Sequence, residues 1–230
     1  MTKIDYQGWE LEYFDNSKNF RNYQNDLIKN YIRGYTAEIG PGNGENLKLY
    51  LDRVEKVDLF EPSKILFENL KSKYQDNQNL FLKNKEFSLT VNTYDTVLYL
   101  DVLEHIQNDS EEINKAFNSL KSGGNLIINV PAFQHLYSKF DEDVNHFRRY
   151  DKKRIIDLIQ NLDHSNYQMK YYDSVGYLLS LISKAFLNNY KKNFHQKIKI
   201  WNSLIPLSKV LDKLCFNLFG KSLIIIINKK

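Results

Sequence analysis

The stretch Tyr35-Thr-Ala-Glu-Ile-Gly-Pro-Gly-Asn-Gly44 decides the fold. Its first half is an apolar run with strand character, and its second half packs three glycines into five positions. Glycine admits positive φ and lets a ligand come close to the backbone, so a run that ends this way and leads into a helical pattern over residues 45–51 opens an α/β unit. The same alternation continues downstream. Residues 57–61, 79–83, 96–100 and 126–130 read as strands, with helical patterns over 64–73 and 111–120. A helix over 152–161 and strands over 168–172 and 223–227 follow, so seven strands can be counted. Alternating strands and helices predict an α/β protein with a Rossmann-like, mostly parallel sheet covered on both faces.

Composition narrows the function classes. The chain has 230 residues and a net charge of +4, too small a surplus for a surface that tracks phosphates, so nucleic acid is not the expected partner. With 42% apolar residues it can build a substantial core. One cysteine, Cys215, excludes an internal disulfide and points to a reducing, cytoplasmic setting. No run reaches the roughly 18 apolar residues of a membrane span, and the first residues do not form a signal peptide. His135 has no second ligand at a zinc spacing, and no metal is expected.

The glycine turn sits where an open parallel sheet binds its ligand, beyond the carboxyl ends of the strands. A nicotinamide dinucleotide would want G-x-G-x-x-G, but the third glycine position holds Glu45, which opposes a pyrophosphate. Glu38 ahead of the turn suits a cationic cofactor. Glu61, closing the second strand, suits a ribose diol.

Four segments together, Glu38-Ile-Gly-Pro-Gly-Asn-Gly44, Phe60-Glu61-Pro62, residues 94–106 and residues 120–130, resemble the successive motifs of class I S-adenosylmethionine-dependent methyltransferases in order and spacing. The resemblance covers residues 30–172. It implies a last strand that runs antiparallel, S-adenosylmethionine at Gly40, Gly42 and Gly44, and Glu61 with Pro62 on the ribose. The methionine end is then expected near Glu38, Asp101 and Val102. Family members often carry an acid beside the adenine after the third strand; this sequence reads Lys83-Asn-Lys-Glu-Phe87 there, leaving Asn84, Lys85 and Glu86 as alternatives.

Phe140-Asp-Glu-Asp-Val-Asn-His-Phe-Arg-Arg-Tyr150 resembles the D-x-x-x-x-H-x-R-R-Y signature of a methyltransferase subgroup often associated with glycan or lipid-linked substrates. Candidate catalytic residues are therefore His146, His105 and Asp141, and candidate acceptor contacts are Tyr137, Arg148, Arg149 and Tyr150. An arginine fork would grip a carboxylate or phosphate. The competing reading is a salt-bridged loop that anchors the next helix, and for His105 a structural role. The expected activity is methyl transfer to oxygen or nitrogen of a small-molecule or sugar- or lipid-linked acceptor. A nicotinamide oxidoreductase and a non-catalytic module of the same fold are the alternatives.

One domain over residues 1–230 is expected, with an aromatic N-terminal cap over 1–30 carrying Tyr6, Trp9, Tyr13 and Phe14. A helical insertion over 175–219 combines apolar residues with lysines and Trp201. It suits a peripheral contact at the inner face of a membrane, a lid, a dimer face, or a plain core-packing helix.

Overall fold

A computed structural model describes residues 8–186 and 191–230, without the side chains of residues 185 and 186. Tyr6 of the N-terminal aromatic set, and residues 187–190 of the insertion, lie outside the described residues. The strands are β1 Gly34–Ile39, β2 Val54–Phe60, β3 Leu80–Lys83, β4 Tyr94–Leu100, β5 Leu120–Pro131, β6 His164–Tyr172 and β7 Ser222–Lys229. They form one sheet in the order β3-β2-β1-β4-β5-β7-β6, in which only β7 runs against its neighbours. The helices are α1 Leu11–Asp15, α2 Lys18–Ile28, α3 Leu47–Tyr50, α4 Lys64–Tyr74, α5 Asp109–Ser119, α6 Lys139–Asp143, α7 Lys152–Ile159, α8 Ser174–Phe186 and α9 Phe194–Leu214.

Both sheet faces are covered because the central strands present buried apolar side chains to both sides. On β5, Leu126, Ile128 and Val130 point to the layer built by Ile113 and Phe117 of α5 and Ile155 and Ile159 of α7. Ile127 points the other way, with Ile224 and Ile226 of β7, to Tyr23 and Ile28 of α2 and to Ile198, Trp201 and Ile205 of α9. Each such fully buried side chain stabilises the fold by roughly 1.5–3 kcal/mol. β1 lies between β2 and β4, so the chain reverses its direction of travel across the sheet there and opens a crevice beyond the ends of those strands.

Three elements differ from the sequence reading. The helix expected over 45–51 shrinks to one turn, α3, continued by a 3₁₀ turn over Leu51–Arg53. Gly44, at φ +74°, keeps the chain in the turn past Glu45, and β2 begins at Val54. β6 starts at His164 instead of 168; it is the edge strand, and its first residues are exposed and carry no apolar alternation. The insertion is two helices, with Asn193 in the left-handed conformation starting α9. One face of α9 packs into the core through Ile198, Trp201 and Ile205, while Ile200, Leu207 and Leu214 on the opposite side are exposed. Among the described residues no helix is long and apolar enough to cross a membrane.

Gly44 has a packing role as well. A Cβ there would come within 2.8 Å of both Leu70 and Tyr74 of α4, whereas one on Gly123, at a nearly identical φ of +75°, would meet nothing within 4 Å. Gly44→Ala and Gly123→Ala therefore share the cost of positive φ, about 1 kcal/mol, and differ in the clash. Urea unfolding should show Gly44→Ala losing at least about 1 kcal/mol more than Gly123→Ala. Equal losses would show that α4 does not press on the turn.

Candidate active site

A cavity of about 780 Å³ lies over the carboxyl ends of β1, β2, β4 and β5. Strand β7 is antiparallel, so its first residues reach the same edge, where Lys221 and Ser222 join the wall. Leu11 and Phe14 of α1 and Arg21 of α2 form part of the wall, together with Phe140 of α6 and Trp201 of α9. Phe14 meets Phe140 and Trp201 edge-on at 6.3 and 6.0 Å.

The glycine turn forms one end of the cavity. Gly40, at φ +61°, bonds through its N–H to the carbonyl of Phe60 and lies against Val102, whose methyl a Cβ would hit at 2.8 Å. Gly42 donates its N–H to Glu61 Oε2 at 3.2 Å, and Ser63 donates its N–H to Oε1 at 2.9 Å while its hydroxyl caps α4. Each carboxylate oxygen of Glu61 keeps acceptor capacity facing the cavity. Burial pushes its pKa up to about 7, against the lowering effect of those two N–H groups. Pro62 is also on the wall. Gly44 and Glu38 are not on the wall. Alternation along β1 sends Ala37 and Ile39 to one face and Glu38 to the other, where its carboxylate accepts from the Tyr50 hydroxyl at 2.5 Å. The direct approach to a cationic ligand expected of Glu38 is thus replaced by a place beneath the turn. After β3, Glu86 and Phe87 border the cavity, whereas Asn84 donates to the carbonyls of Glu61 and Pro62, and the exposed Lys85 is away from the wall.

Asp101 follows β4 at φ +60° and is exposed to the cavity. Its carboxylate accepts from Asn129 at 2.7 Å and Gln24 at 3.3 Å, and burial raises its pKa. Val102, Glu104 and His105 continue the wall. Burial first, and then His146, press the pKa of His105 down to about 3, so its ring is neutral near pH 7. Its ring also hydrogen-bonds the backbone of Asn145.

Asp141 is fully buried and accepts from Ser138, from His146 Nδ1 at 2.9 Å, and from Arg149 through Nε at 2.8 Å and Nη2 at 2.9 Å. Burial alone would raise its carboxyl; the His146 hydrogen bond and the Arg149 guanidinium hold it well below the usual range. With Nδ1–H donating to Asp141, the Nε2 lone pair of His146 is left toward the cavity, 3.9 Å from Glu104 Oε1.

The arginine fork is not available to a ligand. Arg149 lines the cavity but is committed to Asp141. Arg148 bonds the carbonyls of Ile106 and Gln107 and pairs with Asp109 at 3.1 Å. Tyr150 is buried and donates toward Leu103 O and Asp109, and Tyr137 donates to the carbonyl of His146 at 2.6 Å. Arg148, Tyr150 and Tyr137 lie off the wall and brace the loops that carry His105 and His146. Two cationic wall residues were not singled out in the sequence. Arg21 has a buried Nε–H without a partner, and Lys221 sits 4.2 Å over the Trp201 ring. An antiparallel last strand was itself a signal for Lys221, because it brings that strand's start to the ligand edge.

The buried acid under the turn makes a stability prediction. Burial lifts Glu38 from 4.5 to about 7, so between those values the folded state binds more protons than the unfolded chain. Unfolding free energy should therefore fall as pH rises from about 4.5 to 7, and Glu38→Gln, which keeps a partner for Tyr50, should flatten that slope. Chemical denaturation across this range checks it; an unchanged slope in the variant would place the proton elsewhere.

The sequence profile of a family described as "methyltransferase domain" matches residues 33–188. Among curated proteins no sequence relative is found. Among solved structures, the fold is similar to a phosphoethanolamine N-methyltransferase 2 of Haemonchus contortus, in complex with phosphomonomethylethanolamine and S-adenosylhomocysteine, at TM-score 0.69 and 12% identity. That alignment covers 99% of this chain but only 60% of the Haemonchus chain. A SAM-dependent methyltransferase of Archaeoglobus fulgidus aligns at TM-score 0.63 and 14% identity over 96% of this chain and 98% of its own. A Thermotoga maritima SAM-dependent methyltransferase, described as a possible histamine N-methyltransferase, aligns at TM-score 0.61 and 17% identity over 98% and 94%. These likenesses reach the fold, and the profile match reaches the family: the chain belongs to the methyltransferase domain family.

Proposed function

We propose that the protein transfers the methyl group of S-adenosylmethionine to a nitrogen or oxygen of a small-molecule or sugar- or lipid-linked acceptor. Glu61 is the observation that carries this reading. A carboxylate pinned by the N–H groups of Gly42 and Ser63, with its remaining acceptor capacity turned to the cavity, is a receptor for a ribose diol. Gly40 and Gly42 let the donor lie on the backbone. Arg21, with its unpartnered Nε–H, takes the methionine carboxylate, and Asp101 takes the ammonium. Glu86 is the acid placed for the adenine end. Glu45 stands on the wall beside the turn, where a dinucleotide would bring its pyrophosphate, and disfavours the nicotinamide reading.

When bound, the cofactor supplies an electrophilic methyl carbon on a positively charged sulfur. The chain's own work is then orientation and proton removal. In-line alignment of the acceptor with the methyl group contributes ~7–11 kcal/mol to lowering the barrier. His146 removes the acceptor's proton through Nε2, with Asp141 fixing the tautomer and stabilising the charged ring. His105 is too weak a base for this near neutral pH and instead shapes the wall. A small-molecule acceptor agrees with the names of the Haemonchus and Thermotoga proteins.

Two measurements test the reading. Calorimetry at pH 8.5, where Glu61 is ionised, should show S-adenosylhomocysteine binding and no NAD binding. Glu61→Gln should weaken it by about 1.5–3 kcal/mol, the range for a hydrogen bond to a charged group. Binding of NAD in place of S-adenosylhomocysteine would contradict the donor assignment. His146→Ala should lower turnover at saturating donor by roughly 10²- to 10⁴-fold with unchanged S-adenosylhomocysteine affinity; full turnover would remove His146 from the proton step.

A further inference from the structure

Among the buried wall carboxylates that donor binding and proton removal do not use, Glu104 stands beside the histidines. Glu104 is 1% exposed, and its Oε2 has no hydrogen-bond partner. Its other oxygen faces His146 Nε2 at 3.9 Å. Several other wall carboxylates have partners: Asp15 pairs with Arg21, Glu45 with Lys48 and Lys73, and Glu112 with Lys115 and the Tyr99 hydroxyl, while Glu61 and Asp101 have hydrogen bonds plus a share in the donor. Glu104 is in ion-pair distance of no Lys or Arg among the described residues. Burial, and then the charge of Asp101, raise its pKa well above the usual carboxylate range, and its ionised form is costly unless a ligand brings it a positive charge or donors.

We propose that Glu104 and His146 together receive an ammonium group, so that the methyl acceptor is a primary or secondary amine. The proposal rests on the donor assignment above and adds the class of acceptor. His146 Nε2 takes one proton from the ammonium while Glu104 accepts a hydrogen bond from another N–H. The freed nitrogen lone pair forms the bond to the methyl carbon; the carbon–sulfur bond breaks and its electron pair stays on sulfur as a neutral thioether. The methylated nitrogen is again cationic and remains paired with Glu104, and the proton on His146 leaves to solvent. Phe140, on the same wall and edge-on to His146 at 6.4 Å, adds an aromatic surface that favours a cation.

The spacing of the ligand atoms is open to a small cation of either kind, an ammonium or a metal ion. Ligand atoms of Glu104, His105 and His146 lie within 4.8 Å of one another, and the resolved pair is 3.9 Å apart. Zinc, at about 2.0–2.1 Å from each donor, would hold tetrahedral donors roughly 3.3 Å apart, whereas an ammonium with hydrogen bonds of about 2.8 Å holds its acceptors roughly 4.6 Å apart. The Glu104–His146 pair, 3.9 Å apart, lies between these two spacings. A neutral hydroxyl acceptor would bring no cation to favour the ionised form of Glu104.

The test uses the full chain loaded with S-adenosylhomocysteine and two probes of equal length, n-butylammonium and n-butanol, followed by crystal soaking and titration. Butylammonium is expected with its nitrogen at hydrogen-bond distance from Glu104 Oε2 and His146 Nε2, with at least tenfold weaker binding in Glu104→Gln and no butanol at that position. Butanol bound equally well, butylammonium indifferent to Glu104→Gln, or one equivalent of Zn²⁺ held by these three side chains with no site for butylammonium would each overturn the proposal. Should Glu104→Gln not fold, the comparison of the two probes on the unaltered protein decides alone. S-adenosylhomocysteine affinity, measured alongside, separates the two readings: its absence would strike the donor assignment, and its presence with no ammonium site would strike only the acceptor class.

Discussion

The buried carboxylate of Asp141 is the constraint on which the acceptor side of the cavity depends. It caps α6 through Ser138, takes both arms of Arg149, and holds His146 Nδ1. No solvent reaches it, so each donor is needed to keep it charged, and removing any one would strand the others in a dry site. The loop that follows is stitched down by backbone bonds from Phe147 to Glu104, from Tyr150 to Pro131 and from Phe133 to Tyr150. The result is a histidine whose free nitrogen has one allowed direction, into the cavity.

Comparison of three carboxylates at the same strand edge shows how degree of satisfaction divides support from recognition. Asp141 is saturated by its own neighbours and serves as a strut. Glu61 is held by two backbone N–H groups yet keeps acceptor capacity on its cavity side. Glu104 has a buried oxygen with no partner at all. Rigid placement with capacity left over is what a recognition group requires, since the protein has already met the cost of ordering it.

Strands β1, β2, β4, β5 and β7 were legible because their apolar runs end at glycine, proline or charged residues, and the local pattern dictates them. β6 was only half legible, since an edge strand buries little and carries no alternation over its first residues. The glycine turn and Glu61 are close in sequence, and a short-range pattern can represent them. Arg21, Lys221 and the side chain of Glu104 belong to distant segments that meet only across the folded cavity, and no spacing rule ties them together. For the D-x-x-x-x-H-x-R-R-Y stretch the sequence leaves two readings open, a ligand grip and a salt-bridged loop. Its arginines look like ligand grips in sequence, but Asp109 and Asp141, one of them 39 residues upstream of Arg148, claim them once the chain folds. A charged residue's role depends on which counter-charges fold beside it.

The most direct measurement of the central claim is a crystal structure of the protein with S-adenosylhomocysteine. Ribose hydroxyls are expected on Glu61, the amino-acid end between Arg21 and Asp101, and the sulfur facing the space in front of Glu104 and His146. A nucleoside bound elsewhere in the cavity, or a turn at Gly40 and Gly42 that stays closed to it at saturating concentration, would contradict the account.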